Sequence, residues 1–130
     1  MTSTIKMAST IKESSGATDQ TGTMPRPDAG SMVARPAAAD WQTHGLAGFS
    51  YKPLYEDLNT GQSTVLMKVD AGVDAAPHAH DNLEQVYVLE GEFHDEYRTY
   101  GPGDFIVRAP GAIHQGGSKT GALVLLVYSD

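Results

Sequence analysis

The chain contains no cysteine. Disulfides, thiolate metal sites and a cysteine nucleophile are therefore excluded. It also lacks long apolar runs. None approaches the about 18 residues of a membrane span, and Lys6 and Lys12 are not followed by the apolar core of a secretory signal. No membrane association is expected, and the cytoplasm is the default location. Basic residues are scarce, nine against sixteen acidic, for a net charge of −7. Residues 1–39 hold four basic and three acidic side chains, a net +1, so residues 40–130 carry −8. An acidic domain repels phosphate, which argues against a nucleic-acid partner. Sustained helical periodicity is absent, so an α-class fold is not expected. Gly101-x-Gly103 lacks the further glycine and helix of a phosphate loop, and Ser118 and Ser129 sit in no nucleophile elbow.

What the chain does have is short apolar runs separated by turn residues. Its 130 residues suffice for one domain with a modest core. Residues 1–31, rich in Ser, Thr, Gly, Ala and Pro, bury too little to offset chain entropy and read as a flexible tail. Ser3-Thr4-Ile5-Lys6 and Ser9-Thr10-Ile11-Lys12 have strand-like composition, which leaves pairing with a sheet edge as the alternative. Ordered structure is expected from Met32, so the domain is 32–130. Phe49–Asp57 reads as a strand, with Pro53 requiring an edge position or a bulge. Asn59-Thr60-Gly61 and Asp70-Ala71-Gly72 bound the alternating run Ser63–Val69. Leu83–Glu90, a short hairpin over Phe93–Tyr100, Phe105–Val107 and Ala122–Tyr128 complete the series, with a turn at Gly101-Pro102-Gly103-Asp104. Many short strands at close turn spacing predict an all-β sandwich or barrel. Leu83–Leu89 and Leu123–Tyr128 are apolar on both faces and need cover on both, which predicts a homodimer through the outer face of one sheet.

The chemistry-bearing residues fall among these turns. His78 and His80, two apart, share a face of an extended segment. Glu84 follows, and His114 comes thirty residues after it. Imidazole and carboxylate are the ligands that borderline divalent metals prefer. The pattern Gly72-x5-His78-x-His80-x3-Glu84-x6-Gly91 resembles the first motif of the cupin superfamily at every spacing. Gly103-x5-Ala109-x-Gly111-x2-His114-x3-Ser118 resembles the second, with Ala109 in place of the usual Pro and Ser118 in place of the usual Asn. The resemblance covers roughly residues 40 to 130. It implies a double-stranded β-helix (jelly-roll) barrel and a metal held by His78, His80, Glu84 and His114. The short interval between motifs is similar to that of the cupin domain of zinc-binding bacterial anti-sigma factors, and of small ring- and diketone-cleaving dioxygenases.

If Glu84 points inward, Val86 and Val88 follow by alternation. Met67, Phe105 and Val107 are expected to join them around an apolar pocket. His44 and His94, without motif context, read as surface residues. Arg108 is expected to meet an acid at the surface. Three histidines and one carboxylate suit one divalent ion, Fe(II) for an enzyme, with Zn, Mn, Ni, Co or Cu as alternatives. Two functions compete. The first is a mononuclear metal dioxygenase acting on a small diketone or hydroxyketone, with Glu84 as ligand or base. The second is a non-catalytic metal-binding sensor module related to anti-sigma cupin domains. The anti-sigma proteins carry a separate N-terminal zinc segment, and residues 1–39 contain neither His nor Cys, which favours the enzyme.

Overall fold

The computed structural model describes residues 22–43 and 45–130 in full and the backbone of 17–20. His44 and the Ser3–Lys6 and Ser9–Lys12 segments, on which expectations above fall, lie outside the described residues. Eleven strands occur among those described: β1 Ala17–Gln20, β2 Ser31–Ala34, β3 Phe49–Glu56, β4 Ser63–Val69, β5 Val73–Asp74, β6 Leu83–Gly91, β7 Phe93–His94, β8 Thr99–Tyr100, β9 Phe105–Arg108, β10 Gly117–Ser118 and β11 Ala122–Ser129. A 3₁₀ turn, Pro36–Ala38, is the single helical element among them. No helix among the described residues is long and apolar enough to cross a membrane.

A five-stranded sheet, ordered β3-β4-β11-β6-β9, faces a four-stranded one ordered β5-β10-β7-β8. Every pairing in the two is antiparallel. This is an all-β jelly roll. The core between the sheets is built from alternate residues of the long strands: Met67 and Val69, Val86 and Val88, Val124 and Leu126, capped by Phe49 and Phe93. Period-two alternation sends these side chains inward and their neighbours out.

Pro53 sits where its missing N–H is tolerated. Strand β3 is an edge of its sheet, and its register with β4 shifts between Pro53 and Tyr55, so the proline occupies both an edge and a bulge. That edge is partly covered. Met24 bridges Tyr55 and Gln42 bridges Tyr51, each through backbone hydrogen bonds. Among the described residues, Ala17–Gln20 pairs in parallel with Ser31–Ala34 and Met24 extends the β3 edge. Gly91 closes the long strand β6 with φ +77°. A Cβ there would lie 2.0 Å from the Gly121 carbonyl oxygen, so the first motif ends on a position open to glycine alone.

Candidate metal centre

The three histidines reach one point from two loops. His78 and His80 lie on the extended segment that follows β5, and His114 lies between β9 and β10. A two-residue antiparallel bridge joins them: His78 N–H donates to the His114 carbonyl at 3.0 Å, and His114 N–H to that of His78 at 2.9 Å. Gly111 N–H donates to the His80 carbonyl at 2.7 Å. The bridge aligns the rings, whose centroids are 4.4 to 5.4 Å apart. One donor atom from each ring lies within 4.8 Å of the other two.

The tautomers suit ligation. Nδ1 of His78 is 2.9 Å from the Ala76 carbonyl and Nδ1 of His114 is 3.1 Å from that of Ala112. A carbonyl only accepts, so Nδ1 carries the proton and the Nε2 lone pair is free. Burial, ahead of the other influences, pushes His114 below the usual imidazole value, which favours the neutral ligand form.

Glu84 enters from β6 and is buried. Its Oε2 is 3.3 Å from His80 Nε2, and its Oε1 is 3.5 Å from His114 Nε2. Two donors each about 2.0–2.2 Å from one ion stand at about such separations. The three imidazoles could hold a metal ion, and the Glu84 carboxylate lies beside two of them.

Cross-strand register sets a row on the inner sheet face: Tyr128 of β11 opposite Glu84 of β6, and Glu84 opposite Arg108 of β9. Burial, reinforced by the facing Glu84 carboxylate, pushes the Tyr128 hydroxyl far above the ordinary phenol value. Arg108 Nε lies 3.2 Å from Glu84 Oε1, and its Nη1 donates to Asp95 Oδ2 at 3.0 Å. These groups border a cavity of about 80 Å³, whose other side is formed by Phe49, Met67, Val86, Phe93 and Leu126.

Several expectations change here. Phe105 and Val107 are 54% and 56% exposed and do not line the cavity. Pairing places them opposite Tyr87 and Gln85 on the outer face, so Ile106 and Arg108 point inward. Val88 is 0% exposed and belongs to the core rather than the cavity wall. Arg108 meets buried acids, not surface ones. Its signal in the sequence was its two-residue step from Ile106, readable only once the face is known. His94 is not a free surface residue either. It bridges Glu92 through Nδ1 at 3.0 Å and Asp74 through Nε2 at 2.5 Å.

The ChrR cupin-like domain model matches residues 29–129, most of the chain. The protein belongs to this cupin family. No curated protein is significantly similar in sequence. Among solved structures, KdgF from a Halomonas species is 30% identical, with 69% of this chain and 84% of that one covered, at a TM-score of 0.56. The anti-sigma factor ChrR, solved with SigE from Rhodobacter sphaeroides, is 26% identical at a TM-score of 0.61. That match covers 74% of this cupin but 52% of the other chain, so this cupin corresponds to about half of that one. A Methylibium petroleiphilum protein whose proposed activity is acetylacetone dioxygenation shares the fold at a TM-score of 0.71 and 14% identity, with 82% and 81% covered.

Proposed function

We propose that this cupin is a metal-dependent enzyme, a mononuclear non-haem dioxygenase acting on a small oxygen-bearing substrate of the diketone or hydroxyketone type. His78, His80, Glu84 and His114 would hold one divalent ion, Fe(II) for this activity. The observation that carries the reading is that a donor atom from each of three imidazoles lies within 4.8 Å of the others, with the Glu84 carboxylate beside them, at the wall of a small, mostly apolar cavity. Once bound, the ion supplies Lewis acidity and a redox couple for oxygen chemistry.

The chain's own residues do the rest. The Ala76 and Ala112 carbonyls hold two imidazoles in the ligating tautomer. Glu84, beside Tyr128 and Arg108, is in this reading either a ligand or, on leaving the ion, the base that takes a proton from the substrate. Phe49, Met67, Val86, Phe93 and Leu126 keep water from the substrate. The proposed ligands all lie within residues 32–130, the unit proposed as the cupin domain. A homodimer joined through the outer sheet face completes the reading, supported by the exposed Tyr87, Leu89, Phe105 and Val107.

The test is elemental analysis of tag-free protein with oxygen uptake against a panel of small diketones and hydroxyketones. One equivalent of metal and turnover by the iron form alone are expected, since zinc has no redox couple. Equal rates with iron and zinc would end the dioxygenase reading. The family match to ChrR favours a second reading, a non-catalytic metal-binding sensor. Retained zinc with no turnover by any metal form would select it.

A further inference from the structure

Arg108 has more donors than the protein fills. Its side chain is 9% exposed. Nη1 donates to Asp95, and Nε has an ion-pair contact to Glu84 but no hydrogen bond. Nη2 is buried with no hydrogen-bond partner among the described residues. A buried guanidinium N–H without an acceptor carries the desolvation penalty of a charged group with nothing to offset it. The same side chain borders the cavity shared by the histidines and Glu84.

The charges around it do not balance with a metal bound. Glu84 and Asp95 are 6% and 2% exposed, and Arg108 is the single cation between them. Two carboxylates and one guanidinium leave a single negative charge, and a divalent ion with neutral imidazoles turns this into a single positive one. A buried net charge is unfavourable, and one negative charge from a ligand removes it. Size limits the ligand too. At about 10–15 Å³ per water-sized occupant, a cavity of about 80 Å³ holds a molecule of few non-hydrogen atoms.

We infer that the site takes a small monoanion, a carboxylate or enolate, with one of its oxygens accepting a hydrogen bond from Arg108 Nη2. Arg108 is thereby the specificity-determining residue of the cavity. The inference rests on the proposed divalent metal but not on oxygen chemistry. A planar guanidinium suits this task better than an ammonium, because its fork holds Glu84, Asp95 and the ligand oxygen at once.

The experiment uses the full chain loaded with Co(II), with metal content measured for each variant. Acetate and neutral acetamide are titrated, and binding is read from the visible cobalt spectrum. Loss of a hydrogen bond between charged groups predicts that Arg108→Met weakens acetate binding by about 10- to 100-fold. Acetamide binding should change far less than acetate binding, both compared at the measured cobalt content. Arg108→Lys should recover part of the acetate affinity, because it keeps the charge. Equal acetate affinity in wild type and a cobalt-loaded Arg108→Met would overturn the inference. A crystal structure of the wild-type cobalt–acetate complex keeps the test open should the methionine variant misfold. An acetate oxygen within about 3 Å of Nη2, a normal hydrogen-bond distance, is expected there. Acetate held away from Arg108 would refute the assignment. Failure of the chain to bind cobalt would instead strike at the metal reading, and acetate binding together with no turnover by the iron form on the diketone and hydroxyketone panel would strike at the dioxygenase reading alone.

Discussion

His80 and Val88 separate two kinds of residue that lie within one short stretch of chain. His80 is part-exposed, and its Nε2 faces Glu84. His80→Ala removes a ligand and little packing, so stoichiometric metal should be lost while the apo protein melts near the wild-type temperature. Elemental analysis and calorimetry on the same sample check both halves, and full metal occupancy in the variant would remove His80 from the site. Val88, wholly buried, works the other way. Val88→Ala should cost about 2 kcal/mol in transfer and cavity terms, read by urea denaturation, and leave metal content at one equivalent. Metal loss there would mean that the core and the site are coupled more tightly than the geometry implies. Motif spacing made the first residue readable in the sequence. Val88 was misplaced because alternation gives a face but not a depth along it. Glu84, Val86 and Val88 share the inner face, yet only the first two reach the cavity.

At the scale of elements, the strands bounded by Gly, Pro and Asn were legible. Ser63–Val69 was found at its observed ends, and the edge character of β3 followed from Pro53 alone. Strands β5 and β10 were not legible, since Val73-Asp74 and Gly117-Ser118 are too short to show a period. Nor was the facing of β9, where apolar Phe105, Ile106 and Val107 suit either side and register with β6 decides. The short strands are held by side chains as well as by their ladders. His94 of β7 ties Asp74 of β5 to Glu92, and Ser118 of β10 donates to the Glu92 carbonyl. Burial opposes the charge on His94, but the hydrogen bonds and charges of Asp74 and Glu92 outweigh it and raise its pKa. Burial likewise opposes the charge on Glu92, and the Lys119 N–H with His94 and Ser118 overcomes it and lowers that pKa. The signs follow from linkage. The His94 contribution is complete below its unfolded value of about 6.5 and disappears as pH rises through the raised folded value, while that of Glu92 is complete above about 4.3 and disappears as pH falls through the lowered one. The melting-temperature difference between wild type and His94→Gln should therefore be largest near pH 5 to 6 and shrink toward pH 9. A difference constant across that range would show that the ring acts by packing alone.

The whole molecule presents one feature that a monomer leaves unexplained. Strands β6 and β9 turn Tyr87, Leu89, Phe105 and Val107 to the outside, at 42%, 37%, 54% and 56% exposure. Tyr87 and Phe105 are direct cross-strand partners, so these side chains form a patch rather than scattered positions. Among the described residues, strand β9 is also the end of its sheet, with β6 as its neighbour there. Contiguous apolar surface beside an open strand edge is the usual composition of a subunit contact, and a twofold axis through the patch would bury it on both copies at once. Sedimentation at micromolar concentration should give twice the 13.8 kDa chain mass. Phe105→Glu with Val107→Glu should shift the protein to monomer, since like charges placed in an apolar contact are left without solvent or partner. Both side chains point away from the cavity, so the monomeric variant should keep its metal. A wild-type monomer at tens of micromolar would refute the dimer. A dimer indifferent to the double substitution would move the contact off this face, to the β3 edge around Pro53.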